Sequence, residues 1–213
     1  DEEVTLEFDQ VDFTYPGAAR PALSQVSFRI RQGETLAVIG GTGSGKTTLL
    51  NLILRLYEPS AGGIRFQGRD IRAYDRHALT SRITAAMQQY SIFGMSLRDN
   101  IMLDLEYDGD RLNRAAESAQ LADLVRELDG GFEYQAAQDG TNLSGGQKQR
   151  VSVARTLYRK ADLVILDDVS SALDYRTDLR LRSALRRNYR DTSVVLISQR
   201  ISAVRNADRI LVL

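Results

Sequence analysis

The chain has 213 residues, 43% of them hydrophobic, with 28 basic and 28 acidic side chains that cancel to no net charge. That length and apolar content suit one large domain with a substantial core. The absence of cysteine excludes a disulfide framework and a Cys-ligated metal, the single His77 excludes a histidine-cluster metal site, and the balanced charge argues against a dedicated nucleic-acid binder.

The N-terminus, Asp1-Glu2-Glu3, lacks the basic and apolar regions of a secretory signal. No apolar run approaches the roughly 18–20 residues of a membrane helix. A start without Met, and an end on a strand-like Arg209 to Leu213, suggest a piece of a longer protein. Val4 to Phe8 and Val26 to Ile30 alternate apolar and polar residues, the pattern of antiparallel strands with one wet face, with Tyr15-Pro16-Gly17 as a turn between them. Thr35 to Ile39 is an apolar strand, followed by a Gly-rich turn and a helix from about Lys46 to Leu56 that Pro59 and Gly62-Gly63 stop. Ile83 to Met87 reads as a strand. The stretch from about Leu97 to Lys160 is helical, with segments at Arg111 to Gln120, Ala122 to Leu128 and Gly145 to Tyr158. Leu163 to Asp167, Val194 to Ser198 and Ile210 to Leu213 are strands, with a helix over Leu179 to Asn188. Buried strands alternating with helices predict an α/β parallel sheet covered on both faces, carrying an N-terminal antiparallel β subdomain and an inserted helical subdomain, all in one domain over 1–213.

Gly40-Gly41-Thr42-Gly43-Ser44-Gly45-Lys46-Thr47 fits G-x-x-x-x-G-K-[ST] between a strand and a helix, the context a P-loop requires. Its glycines let backbone amides face phosphate oxygens, and the helix start that continues into Thr48 adds a field favourable to anions. Lys46 is expected to reach the β- and γ-phosphates of ATP, and the Thr47 hydroxyl to ligate Mg²⁺. Leu163-Val164-Ile165-Leu166-Asp167 is a buried strand ending in a carboxylate; such an Asp is either a helix cap or, beside a P-loop, part of a Mg²⁺ shell. Leu143-Ser144-Gly145-Gly146-Gln147 opens a helix. Ser144 suits an N-cap, but two glycines in a first turn weaken a helix unless a phosphate must come close to the backbone. One chain cannot bring two helix N-termini to one γ-phosphate, so this segment is expected to serve a second chain's nucleotide.

The P-loop, the LSGGQ segment and the aspartate-ending strand, in this order, resemble the nucleotide-binding domain of an ABC transporter over nearly the whole chain. The resemblance implies a P-loop NTPase (RecA-like) core, ATP and Mg²⁺ as ligands, and a soluble domain at the cytoplasmic face of a membrane. Its partners would be a second ABC ATPase domain and transmembrane domains of the same or another chain, with no nucleic acid. It further implies that Tyr15 is the aromatic residue that stacks on adenine, although a strand-end Tyr packed on the core is an open alternative. Gln88 resembles the glutamine that contacts Mg²⁺ and the attacking water, and Ser171-Ala172-Leu173-Asp174 looks like the loop that crosses to the partner. Ile92 to Ile101 is similar to the segment that follows that glutamine in exporters.

Three positions depart from the family pattern. Asp168 stands where a catalytic Glu is usual, Gln199, within Ile197-Ser198-Gln199-Arg200-Ile201, where the switch His is usual, and Gln138 where many exporters have Glu. Asp is one methylene shorter than Glu, and Gln carries neither proton nor positive charge to a phosphate. Both of the first two changes fall on groups that handle water and γ-phosphate, while every nucleotide-holding element is intact. That pattern suggests a catalytically impaired site in a heterodimer, whose partner's site is completed by this chain's LSGGQ; drift with activity retained is the alternative. A soluble ABC ATPase acting on ribosomes or nucleic acid is the competing function. DNA-repair members carry a very long coiled coil between Lys46 and Ser144, and here that span has no sustained heptads. Arg182, Arg186, Arg187 and Arg190 read as a solvated helix face, since no aromatic platform accompanies them.

Overall fold

The computed structural model describes residues 3–200 and 204–213; Asp1, Glu2 and the Ile201 end of the Gln199 run lie outside them. The elements run β1 (Val4–Phe13), β2 (Leu23–Arg31), β3 (Thr35–Ile39), α1 (Lys46–Ile53), β4 (Ala61–Phe66), β5 (Arg69–Asp70), α2 (Arg76–Arg82), β6 (Ile83–Ala86), α3 (Leu97–Met102), α4 (Gly109–Ser118), α5 (Ala122–Glu127), α6 (Gly145–Tyr158), β7 (Leu163–Asp167), α7 (Tyr175–Asn188), β8 (Ser193–Ile197) and β9 (Arg209–Val212). They build two sheets. One has the order β2-β1-β4-β5 with antiparallel pairs, the other the order β6-β7-β8-β3-β9 with parallel pairs.

The parallel strands are apolar without alternation because each face meets its own core. Leu163, Ile165, Val195 and Ile197 point into a core shared with α1 and the antiparallel sheet. Val164, Leu166, Val194 and Leu196 point the other way, into a core shared with α4, α6 and α7. Each side chain buried in this way contributes roughly 1.5–3 kcal/mol relative to exposure.

Several parts of the chain differ from the sequence reading. β1 does not stop at Phe8. A bulge at Gln10, whose φ is +47°, shifts the inward phase by one residue, from Leu6 and Phe8 to Val11 and Phe13. Bulges break the period of two, so the strand's second half lost its alternating signature. Gly62-Gly63 is not merely a helix stop but the interior of β4, which pairs with β1. Gly62 sits at φ +77°, and a Cβ there would collide with the Gln10 carbonyl at the bulge. The close approach of the two backbones therefore demands glycine. α2 is a further helix, started by Asp75, whose carboxylate accepts from the His77 and Ala78 amides; α1 ends at Ile53, three residues before the predicted Leu56.

Candidate functional site

Four elements of the parallel sheet deliver their following residues to one edge. β3 leads into the Gly40–Thr47 loop, β6 into Gln88, β7 ends in Asp167, and β8 leads into Ser198 and Gln199. Ligands of open α/β sheets bind at this carboxyl edge. A cleft of about 350 Å³ lies there, lined by Tyr15, Ala22, Thr42 to Thr48, Gln88, Asp167, Asp168 and Ile197 to Gln199. So Tyr15, Thr42, Gly43, Ser44, Gly45, Lys46, Thr47, Thr48, Gln88, Asp167, Asp168 and Gln199, which lie far apart in the chain, are brought to a single cavity.

Gly40 and Gly41 stand behind the lining and shape it. A Cβ on Gly40 would collide with the Ser44 hydroxyl, and the Lys46 ammonium donates to the carbonyls of Gly40 and Gly41, each at 2.7 Å. Gly45 caps α1 at φ +105°, where a Cβ would lie 2.6 Å from Leu23 Cδ2 and 2.8 Å from the Ala22 carbonyl. A Gly45→Ala variant is expected to lose roughly 1–3 kcal/mol of stability and most of its nucleotide affinity; urea unfolding and a fluorescent-nucleotide titration check the two effects.

The chemistry of the lining fits a nucleotide with a divalent cation. The first-turn amides of α1 open into the cleft and attract anions. Opposite them, burial pushes the Asp167 carboxyl above its ordinary range and the neighbouring Asp168 charge adds to the effect, against the opposing pull of the Gln88 amide and Lys46. A half-buried carboxylate held unfavourably is offset by a cation, and magnesium is usually held by one or two carboxylates together with substrate phosphates. Asp168 sits at φ +49°, its amide donating to the Ile197 carbonyl, and starts the turn Val169–Ala172. Asp tolerates this left-handed conformation better than most residues. Gln199 lines the cleft and is exposed. Arg200 beside it donates to the Ser170 and Ser171 carbonyls at 2.8 and 3.3 Å.

Tyr15 forms part of the wall. Its hydroxyl is 3.1 Å from Thr48 Oγ1, and its ring meets Phe13 and Tyr57 edge-on, with centroids 4.8 and 5.3 Å away. Tyr57, 41% exposed beside it, offers a second aromatic face that nothing in the sequence pattern marked. Ala22 is also a lining residue without a motif to betray it, and Ile197 and Ser198, which only flank Gln199 in the sequence reading, line the cleft beside it.

Leu143 to Gln147 and Asp174 lie outside the cleft lining. Leu143 is buried, while Ser144 and Gly145 are exposed. Ser144 and Gln147 form a capping box on α6: the Ser144 hydroxyl accepts from the Gln147 amide and the Gln147 side chain from the Ser144 amide. The two glycines turn out to differ. A Cβ on Gly146 would lie 3.1 Å from the Ala172 carbonyl, whereas one on Gly145 would meet nothing within 4 Å. Asp174 caps α7, its carboxyl lowered by the Thr177 hydroxyl that donates to it. The Gln138 side chain accepts from the Gly94 amide at 3.3 Å, joining the turn before LSGGQ to the segment after Gln88.

A strand–glycine loop–helix at the carboxyl edge of a parallel sheet, with a strand-end aspartate facing the loop, defines a P-loop nucleotide-binding fold. The model of the family "ABC transporter" matches residues 23–171, and the chain belongs to that family. It is 38% identical over 208 residues to the ATP-dependent lipid A-core flippase of Burkholderia orbicola (strain AU 1054), covering 98% of this chain and 35% of the flippase. It is 39% identical over 210 residues to the protein of the same name from Alkalilimnicola ehrlichii, covering 98% of this chain and 36% of that one. Among solved structures, a bacterial Atm1-family ABC exporter with ATP bound superposes with a TM-score of 0.91 at 32% identity, covering 99% of this chain and 37% of the exporter chain. The chain thus spans about a third of the length of these relatives.

Proposed function

We propose that this chain is the ATP-binding and hydrolysing domain of an ABC exporter, working as one half of an ATP-driven pair of such domains. The observation that carries the reading is the separation of two sets of residues. Apart from Gly40 and Gly41 behind it, the residues expected to hold phosphate from one side line a single cleft, while LSGGQ presents an exposed helix start elsewhere on the same chain. Each set needs the other from a second domain.

In this reading Lys46 leaves the Gly40 and Gly41 carbonyls for the β- and γ-phosphates. The amides from Gly43 to Thr48 line the phosphate chain, and an aromatic of the Tyr15–Tyr57 pair meets the base. Thr47, Gln88 and Asp167 would hold magnesium, which supplies charge neutralisation along the phosphates. Asp168 and Gln199 face the position of the attacking water and γ-phosphate. The Asp168 carboxylate sits one methylene further back than a Glu would, and Gln199 orients by hydrogen bonding without lending a proton. Hydrolysis at this site is therefore slow, whereas Leu143 to Gln147 and Asp174 serve a partner whose own cleft is competent. That partner is a second ABC ATPase domain. The likeness to flippases and to an Atm1-family exporter supports a longer protein in which membrane domains, in the same or a partner chain, move cargo while this domain sits at the cytoplasmic face. Cargo choice belongs to those membrane segments.

Two copies of this chain carry both halves and pair at high concentration. The test is ATP turnover as a function of protein concentration. In the dilute range the rate should rise with the square of concentration and vanish for Lys46→Ala. A strictly linear dependence means that one chain hydrolyses ATP alone and removes the paired reading.

A further inference from the structure

Tyr90 lies two residues beyond Gln88, and its phenol donates to the Gly145 carbonyl at 3.1 Å, across 55 positions of sequence. It is partly buried. The bond lands on a particular peptide. In a trans peptide the carbonyl of one residue and the amide of the next point in opposite directions in one plane. Fixing the Gly145 carbonyl thus fixes the direction of the Gly146 amide. That amide is among the first-turn donors of α6 that have no partner within the helix, while the Ser144 hydroxyl is already spent on Gln147. From the other side, the Ala172 carbonyl closes on the Gly146 Cα, so that even a methyl there would be crowded. The Gly145–Gly146 peptide is held between the segment that carries Gln88 and the turn that follows Asp168.

We infer that Tyr90 is a positioning residue that aims the Gly146 amide at the nucleotide of an opposing domain, and so ties the Gln88 segment of the chain's own cleft to the helix start it offers its neighbour. This rests on the paired reading above. The helix itself already holds the Gly145 carbonyl along its axis, but neither glycine has a side chain to brace the peptide sideways. A phenol on one face and a carbonyl on the other supply the stiffness. Tyr90 itself is absent from the cleft lining, so its effect should be confined to pairing.

The experiment compares wild type with Tyr90→Phe, which removes only the hydroxyl. A fluorescent ATP analogue measures binding to the single chain, thermal melting measures the fold, and donor- and acceptor-labelled chains measure MgATP-driven pairing. Tyr90→Phe should leave single-chain nucleotide affinity unchanged, lower the melting temperature by no more than about 2–6 °C, the cost of one net hydrogen bond in a domain of this size, and weaken pairing roughly three- to tenfold. Polarity sharpens the test. When one labelled chain carries Lys46→Ala, the only nucleotide held is gripped by the other chain's P-loop against the Lys46→Ala chain's helix start. Tyr90→Phe should then weaken pairing when placed on the Lys46→Ala chain and have no effect on the other. Unchanged pairing in Tyr90→Phe, or weakening without that polarity, overturns the proposal while the paired reading stands. If wild type shows no MgATP-driven pairing at all, the paired reading falls and the role of Tyr90 falls with it.

Discussion

Replacing Asp168 with Glu and Gln199 with His together should raise saturated ATP turnover by about 10²-fold or more, within the range general acid–base catalysis supplies, with MgATP affinity nearly unchanged. In the proposed reading the affinity is set by the loop from Gly40 to Thr48 and by Asp167, and the substitutions leave these alone. The added methylene carries the carboxylate forward toward the water, and imidazole adds a group that can hold a proton on the phosphate side. The gain comes with a small structural cost. Position 168 has φ +49°, a conformation that Asp adopts more readily than Glu, so the double variant should melt slightly lower, and turnover is best compared well below that transition. Equal turnover in the two proteins would mean that Asp168 and Gln199 suffice, and a symmetric homodimeric motor would be the better description. Turnover that rises with both changes but with neither alone would show that water activation and phosphate contact act as a unit.

The second large effect is expected at Gly145. A Cβ there meets nothing within 4 Å of its own chain, and Ala favours a helix over Gly by up to about 1 kcal/mol. Gly145→Ala should therefore stabilise the isolated domain in urea unfolding by a few tenths to about 1 kcal/mol. It should also weaken MgATP-driven pairing by about tenfold or more, since a methyl forced into a tightly packed contact costs roughly 1–3 kcal/mol. A stabilising change that damages association points to a contact outside the chain. Gly146→Ala lacks that clarity because the Ala172 carbonyl already crowds the position from within. If Gly145→Ala stabilises the fold and leaves pairing intact, no partner approaches that helix start.

The sequence shows the core of the fold plainly where local pattern and global role agree. β3, α6 and β7 have the limits that their apolar runs and caps imply, and the P-loop sits between a strand and a helix as its spacing demands. Legibility fails where a backbone event in one strand dictates a residue in another. Gly62 is glycine because of the bulge at Gln10, and neither position announces the other in the linear chain. The same is true at the site. Gln88, Asp167, Asp168 and Gln199 could be placed by motif and resemblance, but the aromatic wall of Phe13, Tyr15 and Tyr57 is a tertiary arrangement. So is the division of labour between the two glycines. The sequence suggests that a close-approaching phosphate accounts for both Gly145 and Gly146, whereas the chain's own Ala172 already accounts for Gly146 and only Gly145 faces open space. Asp75, a good cap ahead of α2, was a readable signal obscured by the short helix that follows it.

In the proposed pair, nucleotide joins two such domains through the cleft of one and the helix start of the other. Sedimentation velocity of the wild-type chain at high concentration, with and without MgATP, decides whether it does. The chain should sediment as a monomer without nucleotide and at twice the mass with MgATP, in a species made long-lived by the slow hydrolysis proposed for the Asp168–Gln199 site, with Lys46→Ala remaining monomeric throughout. A wild-type chain that binds MgATP and still sediments as a monomer at every concentration would contradict it.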